Sequence, residues 1–418
     1  MSHKTLTEKI FESHINREPR IGEVVVVDVD FAMGQDGTSP LAIQKFYDMG
    51  GKKVLRPDRI ALVIDHGAPS PTEGFANLHK LMRDFSYEQG IRLFDIGSGV
   101  CHQLIPESGF AGPYDIVVGA DSHTCTYGAV GAFSTGIGSS ELAAVMISGK
   151  LWFKIPPAIR VILSGKIPSG VYSKDIVLYL AKTLTADGAT YKALEFDGDV
   201  INQLSMDARF TVSNMAVEVG AKAGIFPVDE KTKVWLREHG RDNMCDLSID
   251  PLANYESTVE IDVSKLEPQI ALPHRVDNVM SISEIGDIPI QEGYIGTCTN
   301  GRLEDMEIAT SILDGKKIHP RVRLIVACAS KSIYLEAMKK GLIEKLVEAG
   351  ATVIPPGCGP CVGTHAGVPS DGENVISTAN RNFKGRMGNN KAFIYLSSPA
   401  TVAASCLTGK ITDPRRFL

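Results

Sequence analysis

The chain has 418 residues, 44% hydrophobic and 22% charged, with 43 Lys+Arg against 49 Asp+Glu for a formal charge of −6. That length exceeds one small core and predicts two or three domains, while an acidic balance without any Lys/Arg block offers no surface for nucleic acid. No apolar run reaches the roughly 18 residues of a membrane helix, and the polar start "MSHKTLTEKIFESHINREP" lacks the apolar region of a secretory signal, so a cytoplasmic protein is expected.

Along the chain, short Val/Ile/Leu-rich runs end abruptly in polar residues. "RIALVIDHG" closes on Asp65 and His66, "RLFDIGSGVCHQ" reaches His102 through glycines, and "YDIVVGADSHT" ends on Asp121, Ser122 and His123. Between them, "GFANLHKLMRDFSYEQG" places Phe75, Leu78, Leu81, Met82 and Phe85 at the three- and four-residue spacings of an amphipathic helix. Apolar strands alternating with such helices predict a mostly parallel sheet covered on both faces. In such sheets the C-terminal strand ends form the ligand crevice, so three polar clusters at three strand ends predict a site.

Further on, "AIRVILSGKIPSGVYSKDIVLYLAKTL" and "TVSNMAVEVGAKAGIFPVDEKT" read as a separate α/β unit, entered at "KIPPAIR" and left at the proline-bearing "KLEPQIALPHRVD". The strand pattern then returns. "GYIGTCTNGRLEDMEIATSIL" reads as strand, turn and helix with Cys298 in the turn. "RVRLIVACAS" and "GATVIPPGCGPC" are strands, the second delivering Cys358 and Cys361, and "ENVISTANRNFKGR" ends in Asn380, Arg381 and Arg386. The organisation expected is three α/β domains over residues 1–157, 158–280 and 281–418.

Eight cysteines in this length are too sparse for a disulfide scaffold. Cys328 and Cys406 have small apolar neighbours and are expected to be packed; Cys245 has nothing beside it that points to chemistry. Cys298, Cys358 and Cys361 differ, each lying in a Gly/Pro/Thr-rich turn after an apolar run. A redox C-x-x-C needs a helix N-terminus in a compact βαβ domain, whereas Cys358 follows two prolines deep in a long chain. Zinc wants four ligands, commonly as paired C-x-x-C units, and only one is present. Three loop thiolates match a cubane cluster with one exposed iron, able to act as a Lewis acid. Spacing alone leaves these readings open.

Asp65–His66, His102, Asp121–His123 and Glu218 are acid–base candidates, since a carboxylate beside an imidazole tunes its tautomer and pKa. Neighbours on a strand point to opposite faces, so adjacency in sequence does not establish contact. Arg381 and Arg386 flank a turn from which two guanidiniums can clamp carboxylates.

Together, "DSHT", "GTCTNGR", "PPGCGPCVG" and "NRNFKGR", supported by "GQDGTSP", "IDHG" and "SNMAVEVGAKAGIFP", resemble the aconitase superfamily. The likeness covers nearly the whole chain and is closest to large subunits of the 3-isopropylmalate dehydratase and homoaconitase type. It implies three α/β/α domains around a cleft, without the family's fourth, swivelling domain. It implies that Cys298, Cys358 and Cys361 hold a [4Fe–4S] cluster whose fourth iron lacks a protein ligand. Asp65 and His66 match the pair that helps protonate a departing hydroxyl; His102, Asp121, His123 and Glu218 match the network around the reacting oxygen. Asn214 and Asn380 match polar residues of the cluster and active-site surroundings, and Gln35, Ser122, Arg381 and Arg386 match substrate contacts.

The implied reaction isomerises a 2-hydroxy polycarboxylate by dehydration and rehydration. The closest match is 2-isopropylmalate to 3-isopropylmalate in leucine biosynthesis, with homoaconitase and dimethylmalate or methylmalate dehydratase as alternatives. Cys125 and Thr126 stand where aconitases proper carry Pro-Asn, which favours the isopropylmalate/homoaconitate branch; Gln35 points the other way, because many members of that branch have His there. The family's proton-removing serine belongs to the swivelling domain, so the resemblance implies a separate small subunit, as heterodimer or heterotetramer, and little activity from this chain alone. The readings from other classes are a thiol redox protein using Cys358 and Cys361, and an RNA-regulatory protein. The Asp-His pairs and arginines, which a redox protein does not need, favour catalysis; the acidic balance disfavours RNA.

Overall fold

The computed structural model describes residues 3–242 and 245–418, which fall into two compact units. The first takes Met1–Asp95, Cys101–Leu163 and Ala189–Ile261; the second takes Ile96–Val100, Ser164–Gly188 and Asp262–Leu418. Among the described residues, no helix is long and apolar enough to cross a membrane.

The first unit is built on a five-stranded parallel sheet in the order Arg92–Phe94, Ile60–Val63, Phe31–Gln35, Ile116–Gly119, Phe133–Gly136. Phe31–Gln35, Ile60–Val63 and Ile116–Gly119 are buried at every position, as continuous apolar runs require when both faces are covered. Parallel strands put all their C-terminal ends on one edge. A second sheet of the same unit runs Ala223–Ile225, Ala193–Asp197, Ala158–Ser164, Ser257–Asp262, its first three strands parallel. Glu195 on it is fully buried and accepts from the amides of Leu6 and Thr7 and the Thr7 hydroxyl, each at 2.8 Å, tying down the helix Leu6–Ile15.

The helix Glu73–Gln89 forms where its periodicity predicts, capped by Thr72 and ended at Gly90 in the left-handed conformation. Its buried face corrects the expectation. Met82 and Phe85 are inside, but Leu78 and Leu81 are 39% and 40% exposed, and His79 and Gln89 are buried. The polar pair can go inside because each finds partners: His79 pairs with Asp36 and Ser70, and Gln89 Oε1 accepts from the Val54 amide.

The second unit carries a seven-stranded sheet in the order Val279–Ser281, Gln269–Ala271, Phe393–Leu396, Asn374–Ser377, Glu292–Ile295, Arg323–Ala327, Thr352–Ile354. The last five are mutually parallel and the first two antiparallel. The helix Ser173–Leu184, from the middle of the sequence, belongs here: Asp175 accepts from the Gln269 amide at 2.8 Å, and the helix packs on Gln269–Ala271 and Val279–Ser281. Parallel buried strands flanked by helices are the α/β architecture expected.

Candidate active site

At the C-terminal edge of the five-stranded sheet, Asp36 follows Gln35 and is fully buried. One carboxylate oxygen accepts from the amides of Asp65 (3.2 Å) and His66 (2.8 Å); the other accepts from Gly67 N (2.8 Å) and His79 Nε2 (3.0 Å). The chain leaving Val63 therefore curls around this carboxylate. Gly67 is required in the curl, because a Cβ there would meet the Phe75 ring at 2.3 Å. The curl overrides strand alternation and brings the sequence neighbours into contact, His66 Nδ1 donating to Asp65 Oδ1 at 2.7 Å. Burial alone would raise the Asp36 pKa, but His66, the amides of His66 and Gly67, and His79 outweigh it and hold it below the usual value.

Asp121, one residue past the buried run 116–120, is the hub of the unit. Its Oδ1 accepts from His102 Nε2 at 2.8 Å and the His123 amide at 2.9 Å; its Oδ2 lies 3.5 Å from His66 Nε2 and 3.4 Å from Gln35 Nε2. His123 Nε2 in turn donates to Glu218 Oε1 at 2.8 Å, across 95 residues of sequence. Burial opposes ionisation of Asp121, yet His102, His123 and His66 hold its pKa well below the usual range. Burial also acts against charge on His66, but Asp65 and Asp121 outweigh it and keep that imidazole well above its ordinary pKa. His102 goes the other way: burial dominates, His123 adds to it, and its pKa is lowered despite Asp121. One imidazole is thus held charged and another neutral within one network, an arrangement suited to moving protons.

Ser122 opens the 3-10 turn Ser122–Val130, and Asn214 is buried with its amide donating to Thr126 Oγ1 at 2.8 Å. Ligand-capable atoms of His102, Asp121 and His123 lie within 4.8 Å of one another, as do those of Asp36, Asp65 and His66, so each set could hold a metal ion.

In the second unit, the parallel strands Glu292–Ile295, Thr352–Ile354 and Asn374–Ser377 run into Cys298, Cys358 with Cys361, and Asn380 with Arg381. All three cysteines are buried free thiols. Asn380 links two of them, its Nδ2 3.5 Å from Cys298 Sγ and its Oδ1 3.8 Å from Cys361 Sγ. Arg386 Nη2 lies 3.5 Å from Cys361 Sγ and 3.3 Å from Asn380 Oδ1. Arg381 is half-buried. Gly363 ends the turn Gly359–Val362 in the left-handed region (φ 70°), and a Cβ there would meet Gly388 N at 2.0 Å. Cys328 and Cys406 are fully buried, and burial pushes the Cys328 thiol up to about 12.

Several supporting residues escaped the motif-based reading. Asp36 and His79 position Asp65–His66; Asp36 stands beside Gln35 in "GQDGTSP", so its motif was visible but its task was not. Arg302 is fully buried and donates to the carbonyls of Cys298 (2.8 Å) and Thr299 (3.0 Å). Lys174 is fully buried and its ammonium donates to the carbonyls of Thr378 (2.8 Å) and Ala379 (2.7 Å), bracing the loop that carries Asn380. No local signal marks Lys174, which lies some 200 residues from the loop it holds.

Residues 8–287 and 283–409 match the aconitase family (aconitate hydratase). The chain is 54% identical over 418 residues to 3-isopropylmalate dehydratase large subunit 1 of Thermotoga maritima, covering 99% of this chain and all of that one. It is 50% identical over 416 residues to the 3-isopropylmalate dehydratase large subunit of Elusimicrobium minutum, 99% of each chain. It is also 50% identical over 394 residues to the probable methanogen homoaconitase large subunit of Methanosarcina mazei, covering 94% of this chain and all of that one. Among solved structures, the holo form of Thermococcus kodakaraensis aconitase X superposes with a TM-score of 0.51 at 14% identity over 92% of each chain, a likeness of fold.

Proposed function

This chain belongs to the aconitase family, and from that premise we propose that it is the large subunit of a hydro-lyase, 3-isopropylmalate dehydratase, that moves a hydroxyl between adjacent carbons by dehydration and rehydration. The observation that carries the reading is end-to-end similarity at half identity or more to large subunits of that name. A homoaconitase is the second reading, favoured by the Methanosarcina mazei relative. Domain boundaries near 157 and 280 and a cytoplasmic location belong to the same proposal.

Cys298, Cys358 and Cys361 are proposed to hold a [4Fe–4S] cluster. Soft thiolates with Asn380 and Arg386 directed at them fit that group. When bound, the cluster supplies a Lewis-acidic iron that eases departure of the hydroxyl.

The chain's own residues divide the remaining work. His66, held charged by Asp65 and Asp121, is proposed to deliver the proton that the departing hydroxyl needs. His102, Asp121, His123 and Glu218 orient water around the reacting oxygen, with Asn214 behind them. Gln35, Ser122, Arg381 and Arg386 hold the substrate, the guanidiniums offsetting charge that builds on its carboxylates. The base that removes the C–H proton is assigned to a small subunit carrying the swivelling domain.

The test is coexpression with such a subunit, followed by assays on isopropylmalate, homoaconitate, citrate and dimethylmalate. Isopropylmalate should turn over, and only with both subunits; preferential turnover of another substrate, or full turnover by this chain alone, defeats the reading. Separately, Cys298→Ser should abolish the broad absorbance at about 400 nm expected of a reconstituted cluster; an intact cluster would refute the three-ligand assignment.

A further inference from the structure

Tyr294 lies on the strand Glu292–Ile295, is fully buried, and its phenolic hydroxyl has no hydrogen-bond partner among the described residues. Burying a hydroxyl unpaired costs free energy that a phenylalanine ring would not incur. Such a group in a native core calls for a partner from outside the chain, such as an ordered water or a bound group, or for a functional role. Three residues on, Thr297 is equally buried and its Oγ1 is also unpartnered. Two idle hydroxyls therefore flank the turn that presents Cys298.

The backbone directs the phenol. A Cβ on Gly296 would come within 2.7 Å of the Tyr294 oxygen, so the hydroxyl reaches into space that only a glycine leaves open. Gly296 is two residues from Cys298. After burial itself, the groups acting most on the Tyr294 hydroxyl are Cys361, Cys358 and Cys298, all of which keep it protonated and hence a donor. Two other donors already face the same thiols, Asn380 Nδ2 at 3.5 Å from Cys298 Sγ and Arg386 Nη2 at 3.5 Å from Cys361 Sγ. The sulfurs of an iron–sulfur group carry negative charge, and hydrogen bonds to them help set its potential.

We propose that the Tyr294 hydroxyl donates a hydrogen bond to a sulfur of the iron–sulfur group held by Cys298, Cys358 and Cys361, and that this bond tunes the group's reduction potential. The proposal rests on the cluster reading given above. It assigns Tyr294 no contact with substrate: it is a positioning and tuning residue.

Tyr294→Phe keeps the ring and deletes only the donor. Full-length wild type and variant, each reconstituted anaerobically with ferrous iron and sulfide, are compared by electron–nuclear double resonance of the reduced cluster, by redox titration, and by thermal melting of the metal-free protein. The variant should load the cluster, lose an exchangeable-proton coupling, and titrate at a more negative potential. Its metal-free form should melt no lower than wild type, because an unpaired buried hydroxyl has gone. A purely structural tyrosine would give the opposite pattern, with lower melting and unmoved coupling and potential. A loaded variant with coupling and potential unchanged, or a variant that fails to load where wild type loads, overturns the proposal and leaves the cluster reading standing. A wild type that loads no cluster, or a Cys298→Ser variant that loads normally, overturns the cluster reading and the proposal with it.

Discussion

Asp36 offers a quantitative test of how the Asp65–His66 turn is held. Asp36→Ala strands three buried amides and one imidazole N–H. At about 1–3 kcal/mol for each unpaired buried donor, the three amides alone cost about 3–9 kcal/mol, comparable with the 5–15 kcal/mol stability typical of a domain. Asp36→Asn should be far milder. Its one acceptor oxygen can keep Asp65 and His66, leaving its NH2 against Gly67 N and His79 Nε2. His79 can then move its proton to Nδ1, which already lies 2.8 Å from Ser70 Oγ, and accept at Nε2. Only the Gly67 amide is lost, about 1–3 kcal/mol.

Urea unfolding of the full chain should therefore separate the two variants by at least about 2 kcal/mol. Nitrogen-15 spectra of the histidines should show the His79 tautomer reversed in the Asn variant. Equal destabilisation of both variants, or an unchanged tautomer, would refute the reasoning. The acid limb supplies a further check. The folded-state pKa of Asp36 lies below its unfolded value, so its contribution is present above the unfolded pKa and lost as pH falls through the folded one. Asp36→Asn should remove that part of the acid sensitivity.

Other consequences are as direct. Burial raises the Glu292 pKa to about 7, with Arg323 opposing; the folded state then binds the extra proton, so stability falls as pH rises from the unfolded value through about 7. Glu292→Gln should flatten that slope, a gain of about 3 kcal/mol at most at alkaline pH by denaturant titration; a steeper slope in the variant would contradict it. His66, its pKa raised, contributes stability that is complete below the unfolded value and lost as pH rises through the folded one, and Asp121→Asn should lower its titration in nitrogen-15 spectra; an unmoved titration would remove Asp121 from the account. Lys174→Met should speed amide exchange around Thr378–Asn380 while leaving exchange in the first unit unchanged; uniform acceleration would mean that Lys174 serves global stability instead.

Much of this architecture was readable because strands of a parallel sheet are buried on both faces and therefore spell continuous apolar runs. Where such a run meets Asp-His, Cys or Asn-Arg, the polar group falls at the C-terminal edge, which is how Asp65, Asp121, Cys298 and Asn380 stood out. What sequence could not show is the pairing across distance: His123 with Glu218, or Asp36 with His79. Alternation along a strand left an Asp65–His66 contact unestablished, because it assumes a strand where the chain in fact wraps a carboxylate. The helix Glu73–Gln89 failed at its inner face for the related reason that periodicity counts apolar residues and is blind to a histidine with two buried partners. The arginines illustrate a third limit, since Arg386 turns toward a thiol that only tertiary structure brings near.

The helix Ser173–Leu184 carries a consequence for the order in which the protein is made. It emerges from the ribosome roughly 85 residues before its first partner strand, Gln269–Ala271, a delay of about 4–17 s at ordinary translation speeds of about 5–20 residues per second. During that wait the chain adds Ala189–Ile261 of the first unit, while Ile176, Val177 and Leu180, all destined for burial, precede the strands their helix packs on. A nascent chain halted late in that interval would carry this helix without the strands on which it packs in the finished protein.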